Sequence, residues 1–262
     1  MKQLIFSNGD QLPVLGLGTW KSEPGEVSSA IKTAIQLGYR HFDCAAVYAN
    51  EVEIGRAFAD ALTAGWVTRE QLWITSKLWN NRHAPEDVLP ALQQTLADLQ
   101  LDYLDLYLMH WPMAIKRDVG YPACVADTIP LTELPIAKTW SAMEPLVDHG
   151  LCRHLGVANF STTKLAALLE VAQRKPEMNQ IELHPYLQQP EMLEFCRQHS
   201  IQLTAFAPLG SGGRPEHLKS DDEPVLLRDP VIAKIAQTHS VSSAQVLIAW
   251  ALHRGTAVIP KS

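Results

Sequence analysis

The sequence predicts an α/β fold of the (β/α)8 TIM barrel class with an N-terminal β-hairpin, and three observations predict it. Short β-rich runs alternate with longer amphipathic runs along the chain, the pattern of parallel strands joined by crossover helices. Eight such β-rich runs follow one another, the number that closes a barrel. A chain of 262 residues, 47% of them hydrophobic, can bury one large core, and no linker or internal repeat divides it. Residues 1–262 are therefore expected to form a single barrel domain.

The hairpin comes first. Two apolar runs, Gln3 to Phe6 and Leu12 to Leu15, flank Asn8-Gly9, the dipeptide that best tolerates the positive φ of a tight turn. Barrel strands are predicted at Leu15–Gly18, His41–Cys44, Leu72–Ser76, Leu104–Met109, His154–Val157, Met178–Ile181, Gln202–Phe206 and Ala257–Ile259. Helical periodicity covers Gly25–Leu37, Glu51–Leu62, Pro85–Leu99, Pro135–Asp148, Thr162–Gln173, Pro190–His199 and Ser242–His253. Several of these begin with Pro or a capping Ser, Thr or Asn, as helix starts do. Two connections exceed the usual barrel loop: Pro112 to Leu134, and Pro208 to Arg228 with its Gly-Ser-Gly-Gly and acidic Asp221-Asp222-Glu223. Long loops after strands form active-site rims in this architecture. The sequence stops at Ile259-Pro260-Lys261-Ser262 without a helix to cover the eighth strand. An uncovered strand exposes apolar surface, so a final helix and C-terminal segment are expected beyond Ser262.

Composition narrows the function. Lys and Arg number 22 against 28 Asp and Glu, a net charge of −6, with no basic run long enough to track a polyanion; nucleic acid is not an expected partner. No signal-peptide pattern precedes Asn8, and nowhere do about 18 apolar residues run uninterrupted, so a soluble cytoplasmic protein without a membrane partner is expected. Cys44, Cys124, Cys152 and Cys196 lie far apart with no CxxC pair, which argues for free thiols and against a zinc site.

Four residues carry the chemistry. Alternation along His41-Phe42-Asp43 puts His41 and Asp43 on one strand face and Asp43 at the strand's C-terminal end. Tyr48 follows in a short strand-to-helix loop, Lys77 ends the third strand, and His110 ends the fourth. A carboxylate, a phenol, an ammonium and an imidazole thus converge on the rim where barrel enzymes place their chemistry.

With these residues the chain resembles the aldo-keto reductase superfamily. The matching stretches are Gly16-Leu17-Gly18-Thr19-Trp20, Gly38-Tyr39-Arg40-His41-Phe42-Asp43, Asn50-Glu51, Ile74-Thr75-Ser76-Lys77-Leu78-Trp79, Asp105 to Pro112, Asn179 to Pro185 and Ile259-Pro260-Lys261-Ser262. Asp222-Glu223-Pro224-Val225-Leu226-Leu227 is similar to the aldehyde-reductase and aldose-reductase branch. The resemblance implies reduction of aldehydes, and some ketones, to alcohols by hydride transfer from NADPH. Hydride arrival builds negative charge on the carbonyl oxygen, which must meet a proton or pre-aimed donors. Tyr48 is then the proton donor, Lys77 the cation that favours its phenolate, Asp43 the partner that fixes Lys77, and His110 the donor that orients the carbonyl.

No GxGxxG opens a helix, so a Rossmann cofactor site is not expected. The resemblance implies instead an extended NADPH across the barrel mouth. Its carboxamide would meet Asn159 and Gln180 and its nicotinamide would stack on Phe206. Thr19, Trp20 and Asp43 would border that end, and Pro208, Leu209 and Ser211 the pyrophosphate. Lys261 and Ser262 would begin the segment that grips the 2′-phosphate. The sequence departs from the family pattern at Ala158, where Ser is common, at Phe206, where Tyr is usual, at Ala207, where Ser is usual, and in the basic residues that normally follow Lys261-Ser262; the last departure implies weak cofactor binding. Trp20, Val47, Trp79 and Trp111, with Tyr48 and His110, would line the site of a small-molecule carbonyl substrate, and the tryptophans suit aromatic or medium aliphatic aldehydes. A monomer is implied as well.

Three other readings share the rim residues. A metal-dependent hydrolase would use His41, Asp43 and His110, but no His-x-His pair is present and Lys77 would repel the cation. A Schiff-base aldolase would use Lys77. A non-catalytic nicotinamide-binding subunit could use the same fold.

Overall fold

The computed structural model describes residues 2–214 and 224–261. Ser262 and the acidic Asp221-Asp222-Glu223 stretch lie outside the described residues. The opening hairpin pairs β1 (Gln3–Ile5) with β2 (Gln11–Pro13) across the Asn8-Gly9 turn, where Asn8 Oδ1 accepts from the Asp10 N–H. Its Phe6 and Leu12 pack with Trp73, Leu106, Leu108 and Met178, plugging the N-terminal end of the barrel with apolar side chains.

All eight predicted strands form, and all run parallel in chain order. They are β3 (Leu17–Gly18), β4 (His41–Asp43), β5 (Trp73–Leu78), β6 (Leu104–Met109), then, after a two-stranded ribbon of β7 (Ala114–Ile115) and β8 (Thr128–Ile129), β9 (Cys152–Ala158), β10 (Met178–Glu182), β11 (Gln202–Phe206) and β12 (Ala257–Val258). The ring closes between its first and last strands: Leu15 bridges Val258, and the Gly16 and Gly18 N–H groups donate to Val258 O at 2.8 Å and Pro260 O at 2.9 Å. Glycine is required at this seam because a Cβ on Gly16 would lie 2.6 Å from His41 Nδ1, and one on Gly18 would lie 2.9 Å from Ile259 O.

Helices α1 (Val27–Gln36), α2 (Glu51–Thr63), α3 (Pro85–Leu99), α4 (Ile136–Met143), α5 (Pro145–Asp148), α6 (Thr162–Val171) and α7 (Pro190–Gln198) fill the crossovers as far as β11. The predicted helix over 135–148 is divided because Pro145 has no N–H to donate. Helices α8 (Pro230–Thr238) and α9 (Ser243–His253) both lie between β11 and β12, and only α9 is predicted from the sequence. Among the described residues no helix is long and apolar enough to cross a membrane.

One buried carboxyl ties strand to helix. Glu51, at the start of α2, accepts from Ser76 Oγ on β5 at 2.6 Å and from Thr95 Oγ1 on α3 at 3.2 Å. Burial pushes it up to about 7, and these hydroxyls and Lys77 only partly offset the rise. In the native state the proton is held above the unfolded value of 4.5, so the favourable neutral form is complete below that value and is lost as pH rises to about 7. Glu51→Gln is expected to remove about 3 kcal/mol of pH dependence across that window. Urea midpoints at pH 5 and pH 8 check it: the Gln variant should gain on the native chain at pH 8, and equal gaps at both would refute it.

Candidate active site

The site is built at the C-terminal ends of the strands. Phe42 points into the layer between strands and helices, its ring 5.4 Å from Phe58, and strand alternation sends Asp43 to the barrel interior. There Asp43 Oδ1 meets Lys77 Nζ at 2.5 Å. Gln180 Nε2 donates to the other oxygen, Oδ2, at 2.6 Å, and Thr19 Oγ1 donates to the Asp43 carbonyl at 2.8 Å. Lys77 is fully buried; its ammonium also donates to Cys44 O at 2.8 Å and to Tyr48 Oη at 3.4 Å. Burial opposes the charge on Lys77, but Asp43, Tyr48 and Cys44 together outweigh it and the net shift is upward, so Lys77 stays cationic.

Tyr48 ends the 3-10 turn Ala46–Tyr48, and Ala49, in the left-handed region at φ 55°, turns the chain into α2. The phenol is half-buried at the mouth. Burial pushes its pKa up to about 12; Lys77 pulls it down, in the direction expected of a neighbouring cation, but desolvation exceeds its effect and the net shift is upward. The phenol therefore holds its proton at neutral pH. His110, from the end of β6, packs edge-on to Tyr48 with centroids 5.9 Å apart and to Trp79 at 5.1 Å. Burial first, then Lys77 and His83, holds its pKa well below the usual value, so the ring is a neutral hydrogen-bonding group. His41 lies apart from this cluster, with Nδ1 3.0 Å from Pro13 O and its pKa pushed down to about 4, mainly by burial.

A wall of aromatic side chains rises beside these groups. Trp20 and Trp111 are exposed at the rim, 36% and 40% respectively, while Trp79 Nε1 donates to Gly120 O at 2.7 Å. The Trp79 ring faces Tyr121 at 5.3 Å, and Tyr121 Oη donates to Val47 O at 3.4 Å. The long loop from Pro112 thus crosses to Val47 and Trp79 and forms part of the rim, as its length predicts.

On the other side stand Asn159, Gln180 and Phe206, at the ends of β9, β10 and β11. Asn159 sits at φ 63° and gives Nδ2 to His110 O at 2.9 Å; Gln180 gives Nε2 to Asp43. The next residue after Phe206, Ala207, adopts φ 47°, a conformation that costs a residue with a Cβ about 1 kcal/mol and recurs at functional sites. Pro208 is buried and Leu209 and Ser211 half-buried in the loop that follows. Lys21 reaches across the mouth to this loop, its ammonium donating to Gly213 O at 2.5 Å. Lys261 lies against Gly18 in a groove of about 200 Å³ shared with Thr19, Ser22 and Glu26.

The structure therefore brings together the four predicted catalytic residues and places the predicted cofactor and substrate residues around one mouth, Ser262 excepted. Sequence reasoning missed the Lys21 strap, the Cys44 carbonyl under Lys77 and the bond from Gln180 to Asp43. Each joins residues far apart in the chain, and none leaves a local pattern.

Residues 14–262 match the Aldo/keto reductase family. The chain belongs to that family. It is 56% identical over its whole length to an aldo/keto reductase of Synechocystis sp., covering 80% of that protein. It is 48% identical to aldo-keto reductase family 1 member A1 of Rattus norvegicus and of Homo sapiens, over 99% of this chain and 80% of each. Among solved structures, the aldose reductase of Schistosoma japonicum superimposes with a TM-score of 0.90 at 41% identity, over 100% of this chain and 83% of that one. In this aldo/keto reductase the barrel mouth is the place to look for the reaction.

Proposed function

We propose that the chain reduces aldehydes, and some ketones, to alcohols with NADPH, and that Tyr48 gives the proton. The observation that carries this reading is the state of the two hydrogen-bonding groups at the mouth. His110 is held neutral by burial, so it can donate a hydrogen bond but is a poor proton source, whereas Tyr48 retains its proton beside a fixed cation. As negative charge grows on the substrate oxygen, the phenol gives up its proton and the Lys77 ammonium stabilises the phenolate left behind. Asp43, Gln180 and Cys44 O hold that ammonium in place. His110 keeps the carbonyl oxygen within reach of the phenol.

The residues present fit a nicotinamide cofactor. Asn159 and Gln180 each use their amide nitrogen on a protein acceptor, and neither amide oxygen has a partner among the described residues. Two acceptors at strand ends suit a carboxamide NH2, and the half-buried Phe206 ring offers a stacking face. Bound there, NADPH would supply the hydride. Lys261, exposed in the groove beside Gly18, supports a 2′-phosphate and hence NADPH over NADH, and the Lys21 strap would close over the pyrophosphate. The exposed Trp20 and Trp111 with Trp79 favour aromatic or medium aliphatic aldehydes. A monomer acting on small carbonyl compounds in the cytoplasm is the form proposed.

The test is consumption of NADPH by the purified protein with a panel of such aldehydes. Turnover that is faster with NADPH than with NADH supports the reading. NADPH binding without turnover of any aldehyde would favour a non-catalytic nicotinamide-binding role.

A further inference from the structure

His154 faces more acceptors than a neutral ring can serve. It lies on β9 in the plug at the N-terminal end of the barrel, 1% exposed, its ring centroid 4.3 Å from that of Phe6 and stacked on Trp73 at 5.4 Å. Both of its nitrogens meet carboxylates: Nε2 is 2.9 Å from Asp10 Oδ2 and Nδ1 is 2.9 Å from Glu177 Oε2. A neutral imidazole carries one N–H, and a carboxylate only accepts, so a neutral ring would satisfy one of these contacts and turn a bare nitrogen on the other. The imidazolium satisfies both, and each bond is then charge-assisted. The adjacent aromatic rings also favour the cation.

The two carboxylates belong to different parts of the fold. Asp10 stands in the hairpin turn, where Asn8 Oδ1 accepts from its N–H at 3.0 Å and Asn8 Nδ2 donates to its Oδ2 at 3.1 Å. Glu177 is fixed to the barrel: its N–H donates to Leu155 O at 2.9 Å and its carbonyl accepts from the Gln202 N–H at 2.8 Å. The ring thus joins hairpin to barrel, supported by Ser7 Oγ on Glu177 Oε1 at 3.4 Å and Gln202 Nε2 on Ile5 O at 3.1 Å. Other charges at this end are occupied elsewhere. Arg153, next on β9, attracts Asp10 but lies over Tyr103, and Arg69 pairs with Asp105 of β6 at 2.8 Å. His41 of β4 is neutral and turned to Pro13 O.

We infer that His154 is a pH-operated latch: as the imidazolium it bridges Asp10 of the hairpin and Glu177 of the barrel, and on losing its proton it releases the hairpin from the barrel floor. Burial opposes the charge, but the bonds to Glu177 and Asp10 outweigh it, so the ring keeps its proton above the usual 6.5. The latch is therefore fully closed below 6.5 and opens as pH rises through the raised native value. The barrel mouth lies at the other end of the strands, so the latch does not depend on the reductase reading.

Nuclear magnetic resonance tests it on the whole chain. The His154 ring signals, taken as those lost in His154→Gln, should titrate above the ordinary histidine value. Hydrogen-exchange protection of the Phe6, Gly9 and Val14 amides, which bond within the hairpin or to its flank, should fall at least about tenfold between about pH 6 and about pH 9 relative to core amides of β5 and β6. In His154→Gln that relative protection should not change with pH. Asp10→Asn, which keeps an acceptor but removes one charge, should move both the titration and the opening to lower pH. A native His154 that titrates at or below the ordinary value would overturn the inference. So would hairpin protection that is constant or falls only in step with the core, or an Asp10→Asn chain with both midpoints unmoved.

Discussion

Tyr48→Phe is expected to cut turnover by about 10²- to 10⁴-fold while leaving NADPH affinity unchanged. The change removes one oxygen and little else. Lys77 keeps its bonds to Asp43 at 2.5 Å and Cys44 O at 2.8 Å, and the aromatic ring still packs against His110. His110 cannot take over as acid near neutral pH because burial holds it deprotonated. The residual rate should therefore stay low when the pH is lowered to about 6, near the ordinary histidine value. Titration of cofactor binding by fluorescence and steady-state rates at two pH values decide the matter. A loss below about tenfold, or recovery in mild acid, would give the proton transfer to another group.

Lys77→Met should produce the largest loss of stability. It leaves the Asp43 carboxylate buried with the Gln180 amide but no cation, and breaking a buried pair from one side costs about 3–5 kcal/mol. Turnover should fall with it, since the phenolate of Tyr48 loses its counter-charge. The double variant Asp43→Asn, Lys77→Met removes the orphaned charge, so urea unfolding should show part of the stability returning while activity stays lost. Equal stability of the single and double variants would mean that the carboxylate is not the source of the cost.

The barrel was legible because strand and helix leave different periods, and all eight strands fall within two residues of their predicted limits. What escaped did so for separate reasons. Strands β7 and β8 are two residues each, too short to show alternation. Helix α8 carries a readable start: Asp229 accepts from the Val231 and Ile232 N–H groups and Pro230 opens the helix, yet its position beside a long loop masked it. The rim residues were legible because a strand end fixes where a side chain goes. Their bonds were not: Gln180 reaches Asp43 over 137 positions and Lys21 reaches Gly213 over 192. Such pairings depend on how the closed ring brings distant ends together. The same holds for Tyr48, whose acidity is set by the balance between burial and Lys77 and cannot be read from residue types.

The seam between Leu15 and Val258 also governs the order in which the protein can assemble. Strand β3 is made early, but its second neighbour is the last strand of the barrel, so one edge of the growing sheet stays open through most of synthesis. Open parallel edges fold slowly and invite pairing with other chains. Thr19, which anchors Asp43, and Lys261, which sits beside Gly18, meet only after that edge is sealed. Asp43, Tyr48, Lys77 and His110 all come from the first half of the chain, whereas Gln180, which bonds Asp43, and Lys261 come from the second, so the mouth is complete only once the ring has closed.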